Sequence, residues 1–96
     1  MATAMNKADR AHLDRLATLG CIVCHNEGFG HSSANIHHIR HQQGMSRRAP
    51  HTEAIPLCPQ HHQHGGLGVA IHSGRQTWEA KYGTERELLA QVRELL

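Results

Sequence analysis

Three cysteines and eleven histidines in 96 residues carry most of the chemistry open to this chain. Cys21 and Cys24 are separated by two residues, and Cys58 and His61 repeat that spacing later on. A tight turn lets such a pair present both side chains to one ion, and structural zinc takes four tetrahedral Cys or His donors. Together the two half-sites predict a staple of Cys21, Cys24, Cys58 and His61 around a structural Zn2+. The plain alternative for Cys21 and Cys24 is a pair of small, semi-buried residues. A redox pair of the thioredoxin type belongs beside a βαβ pattern, which is not visible here. A nucleophilic Cys58 would need an activating base and a raised thiolate fraction; membership of the second half-site accounts for it more simply.

With His61 assigned to the staple, His37, His38, His51, His62, His64 and His72 remain without a role. The histidines run from His12 to His72 and form no terminal tract, so a purification tag does not explain them. Histidine is the commonest metal ligand, and its unperturbed pKa lies closest to neutrality. If the half-sites meet at one ion, His62 is carried towards the segment holding His37 and His38, and the leftover rings converge. Neighbours in an extended strand point to opposite faces, so His37 and His38 share a site only if the strand ends or bends there. A satisfied, partly buried histidine is the plain reading for each of them alone.

The elements that would position these residues are short. Residues 6–19 read as a helix with Leu13, Leu16 and Ala17 on one face, Asn6 as N-cap and Gly20 as the stop. The first cysteine pair follows at once, then a loop over 26–33. Residues 34–39 and 54–57 read as strands, and between them lies a polar, basic, turn-prone segment with Arg40, Arg47 and Arg48. Pro59 suits the first turn of a helix, which the run Gly65-Gly66-Leu67-Gly68 would break. Two helices close the chain, with capping-box patterns at Ser73-x-x-Gln76 and Thr84-x-x-Glu87. Their buried side is expected to hold Trp78, Tyr82, Leu88, Leu89, Val92 and Leu95.

Composition bounds the rest. At 96 residues, 39% hydrophobic and with three aromatics, the chain reads as one domain with a thin core. Domains of this size are marginally stable, and small scaffolds are often held by disulfides or a structural metal. The first ten residues lack the apolar stretch of a signal peptide, and no apolar run approaches the roughly 20 residues of a membrane span. A cytoplasmic setting is expected, where such cysteines bind metal or do redox work.

The combination of Cys21-Ile-Val-Cys24, Ile36-His37-His38-Ile39, His51, Ile55-Pro56-Leu57-Cys58-Pro59-Gln60-His61-His62 and Gly68-Val69-Ala70-Ile71-His72 resembles the HNH (ββα-metal, or His-Me finger) endonucleases. Together with Trp78-Glu79-Ala80-Lys81-Tyr82-Gly83, it is similar to the phage recombination-enhancement (Ref-like), RecA-dependent nucleases. The resemblance implies an α+β fold: a small ββα-metal domain spanning 1–96, with its core at about 20–72 and helical flanks at 6–19 and 73–96. It implies a metal-dependent DNA endonuclease using a histidine general base and one catalytic metal, with 5′-phosphate and 3′-hydroxyl products. Carried over, His38 is the base, and His37 and His62 ligate the catalytic metal. His51 stands near the position where an Asn is more usual, and orients the base, contacts phosphate or adds a ligand. His72 lies beyond the common motif and is held as an extra ligand.

The catalytic ion would be Mg2+, Mn2+, Ni2+ or Zn2+. Histidine donors favour the transition metals, since magnesium prefers oxygen. Arg40, Arg47 and Arg48 would bind DNA phosphates by counterion release, without reading sequence; an ordinary solvated loop is the alternative. The resemblance also implies a phage or prophage origin, a bacterial host cell and a RecA–DNA filament as partner. Two readings compete. A non-catalytic zinc module that binds nucleic acid or protein predicts one metal per chain. A histidine-rich metal-handling protein would not require the strand-loop-strand frame.

Overall fold

The computed structural model describes residues 6–39 and 52–96. Helix α1 spans Lys7–Leu19, capped by the Asn6 side chain, which accepts from the Asp9 N–H at 2.7 Å. It stops at Gly20, whose φ of 82° suits glycine. A Cβ there would lie 2.9 Å from the Ser32 carbonyl oxygen and 2.8 Å from the His31 ring. That close approach lets the loop after the first cysteine pair fold back over the helix end, with the Cys21 N–H donating to Ser32 O at 3.0 Å. The buried stripe differs from the expected one. Leu16 is buried and Leu13 and Leu19 pack partly against the core, while Ala17 faces solvent.

The first cysteine pair brackets the start of a short helix, α2 (Ile22–Asn26), with Cys21 just ahead of it and Cys24 within it. Cys21 caps it, its Sγ accepting from the Cys24 N–H at 3.4 Å. Ile22 and Val23 between the cysteines are fully buried, so this turn both carries donors and anchors in the core.

Strands β1 (Asn35–His38) and β2 (Ala54–Leu57) pair antiparallel, with Asn35 opposite Leu57, His37 opposite Ile55 and His38 opposite Ala54. A lone two-stranded hairpin is marginal in water; this one is covered, and all four residues of β2 are buried. Ile55 and Leu57 join Leu16, Ile22, Ile39, Trp78, Leu88, Leu89 and Val92 in one hydrophobic cluster. Each such side chain contributes about 1.5–3 kcal/mol by leaving water.

After Cys58 the chain does not form the ordinary helix that Pro59 suggested. It makes a five-residue π-helical turn, Gln60–His64, closed by the Gly65 N–H donating to Gln60 O at 2.9 Å. The reason lies at Gly65. A Cβ there would collide with the Val69 side chain and sit 2.5 Å from Gln60 O, so only glycine admits this closure. A 3-10 turn, Ile71–Ser73, follows. Helix α3 covers Arg75–Tyr82 and α4 covers Glu85–Leu95.

The Thr84/Glu87 capping box forms in full on α4. The expected Ser73 cap does not, because Ser73 belongs to the 3-10 turn and Gly74 is the N-cap of α3, with no side-chain bond. Trp78, Leu88, Leu89 and Val92 are buried as expected, Tyr82 only partly, and Leu95 is 42% exposed on the last turn. Among the described residues no helix is long and apolar enough to cross a membrane. The architecture is α+β, with helices packed around a two-stranded sheet.

Candidate metal centres

Two donor clusters lie on the two sides of the π-helical turn. The first joins Cys21 ahead of α2, Cys24 on α2, Cys58 after β2 and His61 on the turn, all buried. Cys24 Sγ and Cys58 Sγ are 3.8 Å apart, and His61 Nδ1 stands 3.5, 3.6 and 3.1 Å from the sulfurs of Cys21, Cys24 and Cys58. Tetrahedral coordination with typical zinc bond lengths requires about 3.8 Å between sulfurs and about 3.6 Å from sulfur to nitrogen. Of these four edges, Cys58–His61 is the tightest one. The donor set fits a single ion, and the cluster could hold one.

The surroundings set the protonation of this cluster. Burial pushes the Cys21 thiol up to about 12; backbone N–H groups at Cys58 and Cys24 offset this in part, and the neighbouring thiols add to it. Burial pulls His61 down, opposed by Glu27 and aided by Lys81. Without an ion, then, Cys21 stays a neutral thiol and His61 a neutral ring. Metal uptake must displace thiol protons.

The second cluster is His37 on β1, His62 on the π-helical turn and His72 on the 3-10 turn, with one ring nitrogen from each within 4.8 Å of the others. His62 and His72 meet Nε2 to Nε2 at 2.9 Å. That is an ordinary hydrogen-bond distance between the two rings; tetrahedral donors at about 2.05 Å from one ion would stand about 3.3 Å apart, a small opening of the pair. The His37 centroid lies 5.3 Å from each of the other two rings. His37 is buried, His62 partly buried and His72 exposed, so the cluster opens to solvent on one side. Burial first, then the nearby His37, His72 and His64, hold His62 down to about 4. A ring that stays neutral at pH 7 keeps a lone pair for an ion.

His61 and His62 are consecutive, yet they serve different clusters. Successive side chains on a helical turn point in different directions around its axis, which sends one ring to the cysteines and the next to His37 and His72. The two centres are thereby tied through a single peptide bond. π-Helical turns are often found at functional sites.

The other expected residues fall differently. His38 is the last residue of β1, opposite Ala54 and partly buried, and it is not one of the three clustered rings. Neighbours along a strand turn to opposite faces, so His38 can meet this cluster only where the chain bends at the end of β1. His51, Arg40, Arg47 and Arg48 lie outside the described residues. His64, left without a role, is exposed on the π-helical turn beside the second cluster.

Sequence reasoning missed Glu85. It opens α4, is 5% exposed, and its Oε2 lies 2.7 Å from His37 Nε2. A signal was present: Glu85 precedes the buried Leu88, Leu89 and Val92 by three, four and seven residues, so it continues their stripe. The model of one family, described as "Recombination enhancement, RecA-dependent nuclease", matches residues 2–96. A match of that extent covers both donor clusters and every element between them, and the chain belongs to this family of nucleases.

Proposed function

We propose that the protein is a metal-dependent DNA endonuclease of the HNH (ββα-metal) type, with zinc in the Cys21/Cys24/Cys58/His61 cluster and a catalytic divalent ion at His37, His62 and His72. The observation that carries this reading is the convergence of three histidines from three separate elements, with no cysteine among them, in a chain of a nuclease family. Histidine-only donors favour a transition metal over magnesium.

A phosphodiester resists attack because its charge repels nucleophiles and its alkoxide is a poor leaving group. A divalent ion there would neutralise charge on the scissile phosphate and on the departing oxygen. His38, beside the ligand His37 in sequence, acts as general base. Its neutral imidazole takes a proton from water, the water oxygen bonds to phosphorus, the phosphorus bond to the 3′ oxygen breaks, and the departing alkoxide takes a proton from solvent. The products carry a 5′-phosphate and a 3′-hydroxyl. Such base catalysis supplies about 10²–10⁴-fold.

Arg40, Arg47 and Arg48, between β1 and β2 in the sequence, bind the DNA backbone. His51 contacts phosphate or orients the base. A RecA filament presents the DNA, as the family description suggests.

The test is cleavage of plasmid DNA by the purified chain with Mg2+, Mn2+, Ni2+ or Zn2+, with and without RecA filaments, for the native protein and His38→Ala. Metal-dependent cutting that disappears in the variant is expected. No cutting by the native chain under any of these conditions would favour a zinc-stapled binding module instead.

A further inference from the structure

A carboxylate is seldom fully buried unless it is paired, and the partners of Glu85 are specific. Its Oε2 is 2.7 Å from His37 Nε2, across 48 residues of sequence. Its Oε1 is 3.4 Å from an Arg75 guanidinium nitrogen, and its backbone N–H donates to Glu79 Oε2 at 2.9 Å. The backbone beneath it is pinned by the capping box, in which the Glu87 N–H donates to Thr84 Oγ1 at 3.1 Å and the Thr84 N–H to Glu87 Oε1 at 2.8 Å. Glu85 touches His37 and is not one of the three clustered donors.

An ionised carboxylate only accepts hydrogen bonds, so the nitrogen facing it must carry a proton. Nε2 of His37 is therefore N–H, and the lone pair of the neutral ring lies at Nδ1. A ring free to choose its tautomer would spend part of its time with that lone pair on the wrong side. We propose that Glu85 is a positioning residue for the second metal centre: it holds His37 as the Nε2–H tautomer and directs Nδ1 to the ion shared with His62 and His72. This rests on the reading of those three histidines as a metal site. It also makes α4, outside the strand-turn core, part of that site. Carboxylates placed behind a ligating histidine typically change metal affinity by about 10–100-fold.

The experiment uses full-length protein loaded with one equivalent of Zn2+ and labelled with 15N-histidine. Imidazole 15N shifts are recorded before and after a second equivalent of Zn2+, and the affinity for that second ion is measured against a competing chelator. In the native chain His37 is expected to be protonated at Nε2 throughout and to bind metal through Nδ1. Glu85→Gln preserves volume while removing the charge, and should weaken the second ion by about 10–100-fold. The first zinc and the melting temperature of the one-zinc form should change little by comparison. Second-ion affinity in Glu85→Gln within twofold of native, or metal bound through His37 Nε2, would overturn the proposal while leaving the three-histidine site standing. If the native chain takes no second ion, or His37→Ala takes it as tightly, the site itself falls, and this inference with it.

Discussion

The two donor clusters share one turn and differ in almost everything else. The cysteine cluster has four donors, all buried, drawn from segments that also carry the core residues Ile22, Val23 and Leu57. The histidine cluster has three donors, one of them exposed, and no sulfur. Structural zinc sites close their coordination with protein ligands, whereas catalytic ones keep a position open. On our account the first cluster makes the fold and the second does the chemistry.

The largest effect that would break this contrast is on folding. Cys24→Ala should lose its zinc and unfold, because metal binding and folding are one equilibrium in small metal-stapled domains. Circular dichroism and zinc content report it, and a stable Cys24→Ala fold would remove the distinction. His62→Ala should do the reverse, keeping the fold and the first zinc while losing the second ion and cleavage. His38→Ala should retain both ions and lower cleavage by about 10²–10⁴-fold, measured on plasmid DNA at matched metal content.

A smaller effect is expected in the pH dependence of stability. His62 is held below its ordinary 6.5, at about 4, mainly by burial. Between those values the unfolded chain binds a proton that the folded chain does not, so stability is present above about 6.5 and is lost as pH falls towards about 4. With one zinc bound, His62→Gln should show a shallower loss over this window than the native chain. Chemical denaturation at several pH values checks the slope, and equal slopes would count against the burial of His62. Zinc uptake by the first site should also release protons, measurable in a weakly buffered titration, because Cys21 is held as a thiol.

What was legible in the sequence follows the range of the interactions. The cysteine half-sites are local spacings, and each half of the cluster could be read from three or four letters. The α1 cap at Asn6, the stop at Gly20 and the Thr84/Glu87 box were legible for the same reason. Strand β2 showed itself as an apolar run. His72 could be held only as an extra ligand, since its place depends on how the chain turns through Gly65 and how the 3-10 turn follows. The π-helical form of that turn was hidden, because it depends on Val69 packing where a side chain on Gly65 would sit.

Glu85 was hidden by a competing explanation. An acid in the first turn of a helix is favoured by the helix dipole alone, and Glu85 follows a strong N-cap. Its true partner, His37, lies 48 residues away. Only the apolar stripe of α4 shows that this acid faces inward.

Metal counting by native mass spectrometry, paired with cleavage of the same samples, tests the division of labour most directly. The account predicts two ions on the native chain, one on His62→Ala, and DNA cutting only where two are bound. One ion on a native chain that cuts, or undiminished cutting by one-ion His62→Ala, would contradict it.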